Sequence, residues 1–104
     1  MYESKNNNPE TDHLFKAILE LKSMEECYRF FDDLCTIREV AAMAQRLEVA
    51  KLLRQKVTFN AIAEKTGAST ATIARVNKCL VYGADGYQRI LDRLDEKTAP
   101  GWAD

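Results

Sequence analysis

Apolar residues recur every three or four positions in one segment after another, and strand-type alternation of apolar and polar positions is absent. That period predicts an all-α chain. The first stripe, Leu14, Phe15, Ile18 and Leu21, predicts a helix from about Thr11. Ser23-Met24-Glu25-Glu26 has the spacing of a capping box, in which Ser23 accepts from the Glu26 amide and Glu26 returns a bond to the Ser23 amide. A second helix carrying Tyr28, Phe30, Phe31 and Leu34 follows from it. Thr36-Ile37-Arg38-Glu39 repeats the spacing and opens a longer third helix to about Gln55, with Val40, Met43, Ala44, Leu47, Ala50 and Leu53 as its core face. Thr58 caps a short helix that Gly67 stops near Thr66. Ser69 caps the next, which runs through Leu80 or Val81 to its end at Tyr82-Gly83. Asp85-Gly86-Tyr87-Gln88 begins a sixth helix with Tyr87, Ile90, Leu91 and Leu94 along one side. Pro9 and Pro100 fall in end tails, expected as flexible at 1–10 and 97–104, and Trp102 in the second tail receives no role. One domain, 11–96, lies between them.

The fourth and fifth helices carry the functional signal, in FNAIAEKTGASTATIARVNK from Phe59. Two helices that cross closely need a small residue midway along the first, and Ala63 supplies it. The turn needs a residue free to take positive φ, and Gly67 stands four positions later. Inward apolar residues are needed one turn apart on the second helix, and Ile73 and Val76 meet Ile62 across the crossing. Those demands at fixed offsets mark a helix-turn-helix over about 58–80, against the alternative of an ordinary αα-hairpin.

Charge sharpens this picture. The net charge of −1 does not by itself point to nucleic acid. Its distribution does: residues 1–35 hold four Lys/Arg against eight Asp/Glu, residues 36–82 hold eight against three, and residues 83–104 hold three against five. The helix-turn-helix therefore lies in a basic block between acidic flanks. Lys51, Arg54, Lys56, Lys65 and Lys78 are the candidate phosphate contacts. Ser69, Thr70, Ala71, Thr72 and Ala74, at the start of the second helix, are the candidate base readers. No Arg, Asn or Gln stands among these five to grip a base edge with two bonds. Reading would rely on thymine methyls, ordered water and DNA shape.

Other chemistries find little support. Three cysteines, Cys27, Cys35 and Cys79, lack metal-ligand spacing, and His13 is the single histidine. They read as reduced thiols, with no metal and no cofactor expected. No acid pair, nucleophile constellation or Gly-rich phosphate loop argues for an enzyme. MYESKNNNPE lacks the apolar stretch of a signal peptide, and no run is long enough to span a membrane, so a cytoplasmic protein is expected. The bulky apolar stripes of the outer helices exceed what a monomer of this size can bury, which predicts a homodimer against a closed monomeric bundle.

LCTIREVAAMAQRLEVAKLL followed by FNAIAEKTGASTATIARVNKCL resembles the Trp-repressor superfamily, and within it the YerC/YecD branch of TrpR-like regulators. MEECYRFFDDLCT and GASTATIARVNKCLVYGADGY carry the likeness to that branch, over about residues 12–94. The resemblance implies a six-helix, intertwined homodimer that presents one helix-turn-helix per chain to a palindromic operator in double-stranded DNA. Half-sites would lie roughly 34 Å apart; the Trp repressor is a standard example of this geometry and of water-mediated reading. It also implies a transcriptional repressor of amino-acid biosynthesis genes. In the Trp repressor the indole lies between two arginines beside a glycine. Here the corresponding candidates for an effector pocket are Arg46, Arg75, Val76 and Cys79. Val76 in place of the glycine and Cys79 in place of a serine argue against tryptophan. They leave a smaller or more polar amino-acid effector, or none; the resemblance to the branch implies histidine as one such signal, but nothing in these residues selects it. Arg75 reads equally well as a phosphate or carboxylate partner. The competing class is a helical dimeric protein–protein interaction module, working through the acidic N-terminal half with its helix-turn-helix as scaffold only.

Overall fold

The computed structural model describes residues 2–97, with side chains as far as Asp95. Six helices follow in order: α1 Pro9–Leu19, α2 Met24–Leu34, α3 Ile37–Arg54, α4 Phe59–Thr66, α5 Thr70–Tyr82 and α6 Gly86–Lys97. The all-α, six-helix expectation is met, each helix close to its expected bounds. Pro9 is a difference. It is the first residue of α1, where its missing amide costs nothing, and Asn8 caps the helix by accepting from the Thr11 amide at 2.8 Å. The expected C-terminal tail lies outside the described residues except for Lys97, as do Pro100 and Trp102.

The chain divides into two units, one through Ile37 and one from Arg38. In the first, neither α1 nor α2 contains a buried residue. Leu14, Ile18, Leu21, Phe30 and Phe31 are half-buried, and the two phenyl rings meet edge to face with centroids 5.6 Å apart. Phe15, Leu19, Met24, Tyr28 and Leu34 are exposed. The Ser23 cap forms as expected, accepting from the Glu26 amide at 3.1 Å. The return bond does not: Glu26 Oε1 accepts from the Lys22 amide at 2.8 Å, one residue earlier than the expected Ser23 amide.

The second unit has a true core. Val49, Ala50 and Leu52 of α3, Ile62 of α4, Ala68 of the turn, Ile73 and Val76 of α5 and Leu91 of α6 are buried together, with Leu53, Val57, Ala63, Leu80 and Tyr87 packed around them. Here α3 departs from its expected face. Ala50 and Leu53 turn inward, but Met43, Ala44 and Leu47 are exposed and Val40 is half-buried. At roughly 100° per residue, Val49 and Leu52 lie nearly opposite Val40, Ala44 and Leu47. The helix is thus apolar on two sides. One covers the helix-turn-helix from the C-terminal half of α3, and the other stays open. A similar split occurs on α6, where Leu91 is buried while Ile90 and Leu94 are exposed.

α3 ends in a Schellman turn. The Val57 amide donates to the Leu52 carbonyl at 3.1 Å and the Lys56 amide to the Leu53 carbonyl at 3.0 Å, with Lys56 at φ 65°. The side chain of Arg54, at the end of the helix, reaches α6. It bonds the Gln88 carbonyl at 3.2 Å and pairs with Asp92 at 2.7 Å and Asp95 at 3.4 Å. Gln88 in turn donates to the Leu80 carbonyl of α5 at 3.2 Å.

Candidate nucleic-acid interface

The helix-turn-helix forms because each local demand is met by the residue placed there. Thr58 caps α4 by accepting from the Ala61 amide at 3.3 Å. Gly67 ends it in the left-handed region, φ 74°, with its amide on the Ala63 carbonyl at 2.9 Å. Ser69 caps α5 by accepting from the Thr72 amide at 3.1 Å. Ile62, Ile73 and Val76 close the crossing at 2% exposure or less. This is the geometry the spacing predicts, and it leaves one side of α5 to solvent.

On that side Thr70, Ala71 and Ala74 are exposed, as base readers must be. Ser69 and Thr72 are differently employed. The Ser69 hydroxyl serves the cap and lies 3.0 Å from the Thr72 hydroxyl, and Thr72 is half-buried. Both side chains thus shape the helix start; Ser69 also stays exposed beside Thr70, Ala71 and Ala74, and Thr72 alone of the five is half-buried.

Among the candidate phosphate contacts, Lys56, Lys65 and Lys78 are exposed and form no ion pair among the described residues. Lys51 is half-exposed and lies 3.7 Å from Glu48. Arg54 is held by the two aspartates of α6 with its side chain 26% exposed, which makes it a joint between helices.

The four effector candidates differ in exposure. Val76 is buried in the core, while Arg46 and Arg75 are exposed. Only Cys79 lines the neighbouring open groove of about 410 Å³, whose other walls are Leu47, Ala84, Gly86, Tyr87 and Ile90. That groove is apolar and presents neither arginine. Gln45, which the sequence did not single out, is half-buried on α3 and reaches the Thr66 carbonyl in the turn. Its signal was its position four residues before Val49 and seven before Leu52.

No group of His, Cys, Asp and Glu among the described residues could hold a metal ion, and Cys27, Cys35 and Cys79 are free thiols. No helix among them is long and apolar enough to cross a membrane.

The Trp repressor protein family matches residues 9–95, which contain all six helices but for the last two residues of α6. The chain belongs to the Trp repressor family. Its relatives include the uncharacterized protein YerC of Bacillus subtilis (strain 168), 61% identical over 87 residues that make up 84% of each chain. Two solved structures agree in fold. A TrpR-like protein from Eubacterium eligens superposes with a TM-score of 0.84 at 56% identity, over 86% of this chain and 93% of its own. A candidate Trp repressor from Staphylococcus aureus gives 0.84 at 50% identity, over 88% and 91%. The Trp-repressor likeness in the sequence is thereby established for the family and for its six-helix fold.

Proposed function

We propose that this member of the Trp repressor family is a sequence-specific, double-stranded DNA-binding repressor, acting as an intertwined homodimer on a palindromic operator of amino-acid biosynthesis genes. The observation that carries the reading is the exposed start of α5. Thr70, Ala71 and Ala74 face outward from a buried Ile62–Ile73–Val76 crossing, with Lys56, Lys65 and Lys78, which form no ion pair among the described residues, on the same helix-turn-helix or at its threshold. Short side chains let the backbone approach the major-groove floor, and lysines beside them hold the phosphates.

Dimerisation is supported by apolar surface that one chain leaves open: the second side of α3, Ile90 and Leu94 of α6, and the outward residues of α1 and α2. Val76, standing where the resemblance places a glycine, is buried in the core and opens no slot there, which supports a reading without tryptophan.

Selection of bound duplexes from a random pool tests the reading, run with and without the twenty amino acids. A palindromic sequence should enrich in both pools, and its affinity should fall steeply with salt because binding releases several counterions from the phosphates. Enrichment no better than random DNA would sink the proposal. Enrichment only with one amino acid would instead establish a corepressor.

A further inference from the structure

Thr66 is the hub of the turn between α4 and α5. Its hydroxyl donates to the Ile62 carbonyl at 2.7 Å and accepts from the Ala68 amide at 3.1 Å. Those two bonds are local and follow from the turn itself. A third comes from 21 residues away: Gln45 Nε2 of α3 donates to the Thr66 carbonyl at 3.2 Å. That carbonyl belongs to the last residue of α4, one of the helix-end acceptors with no partner inside the helix. Gln45 is half-buried between two exposed neighbours, Ala44 and Arg46, and shares the face of α3 that carries Val49 and Leu52.

We propose that Gln45 is a positioning residue for DNA reading: its amide ties the α4–α5 turn to α3 and fixes the direction in which α5 is presented. This rests on the DNA-binding reading. Apolar packing such as that of Val49, Leu52, Ile62 and Ile73 is non-directional and tolerates small rotations of one helix pair on another. A hydrogen bond from α3 to the turn selects one orientation. Orientation matters more here than for long-armed readers, because Thr70, Ala71 and Ala74 cannot extend to follow a base edge when the helix tilts away from it.

Two variants of the full-length protein test it. Gln45→Leu is neutral and of similar size but has no donor, whereas Gln45→Lys restores a donor on a longer stem. Two quantities are read: hydrogen exchange at the Gly67 and Ala68 amides, which are bonded in the turn, and the ratio of affinities for a selected operator and a scrambled duplex. The ratio cancels the general gain in DNA affinity that an added lysine brings. Gln45→Leu should speed exchange at both amides and lower the ratio about threefold to tenfold, and Gln45→Lys should recover both. Wild-type exchange and ratio in Gln45→Leu would overturn the proposal, and so would equal losses in both variants. If the wild-type protein selects no duplex at all, the DNA-binding reading fails, while the exchange rates still decide whether Gln45 holds the turn.

Discussion

Lys56 occupies the left-handed region at the exit of α3, a conformation that costs a side-chain-bearing residue on the order of 1 kcal/mol and costs glycine almost nothing. A lysine there, exposed and without an ion pair among the described residues, fits a phosphate contact. Lys56→Gly should therefore move two measurements in opposite directions. The urea midpoint should rise by an amount worth about 0.5–1 kcal/mol, while operator affinity drops and its salt slope flattens by about one per chain. Arg54 predicts the reverse pattern. Arg54→Met should lower stability by about 1 kcal/mol, a modest figure because Asp92 and Asp95 are largely solvent-exposed. It should leave the salt slope unchanged; a flatter slope would make Arg54 a phosphate contact as well. Local rules made much of this scale legible in the sequence. Ser23, Thr58, Gly67 and Ser69 announce their caps and turn by residue type. Lys56 hides its backbone because lysine does not signal positive φ, and the partners of Arg54 lie on a different helix, far along the chain.

Among the elements, α5 is fixed at both ends and by its core, which is why the helix-turn-helix could be read directly from offsets among Ala63, Gly67, Ile73 and Val76. Its far end depends on Gly83. A Cβ built there would run into the Cys79 carbonyl oxygen, the acceptor of the Gly83 amide. Gly83→Ala should cost about 1–3 kcal/mol through this overpacking, measured as a lower thermal midpoint. An unchanged midpoint would show that the α5–α6 connection can relax. The third helix was less legible. Its apolar residues fall on two opposite sides, and a period alone cannot say which side meets the core and which meets something outside the unit. The same ambiguity hid Gln45, whose role depends on recognising Val49 and Leu52 as the covered stripe.

At the scale of the molecule, the open faces argue for a second copy, and the prediction is direct. The double change Phe15→Glu and Tyr28→Glu places charges on exposed apolar positions of α1 and α2. It should shift the sedimenting species from dimer to monomer and abolish operator binding, with no change at the reading helix; a stable dimer in the variant would move the interface elsewhere. The sequence suggested two copies through its excess of bulky residues, but only the fold shows which of them stay uncovered. The absence of any buried residue in α1 and α2 has a further consequence on the dimeric reading. Helices that gain their burial from another chain are stable only where chains are plentiful enough to meet. Thermal stability would then rise with protein concentration. In a cell, repression would set in above a threshold abundance, so the regulator's own synthesis rate would act as an input to the switch.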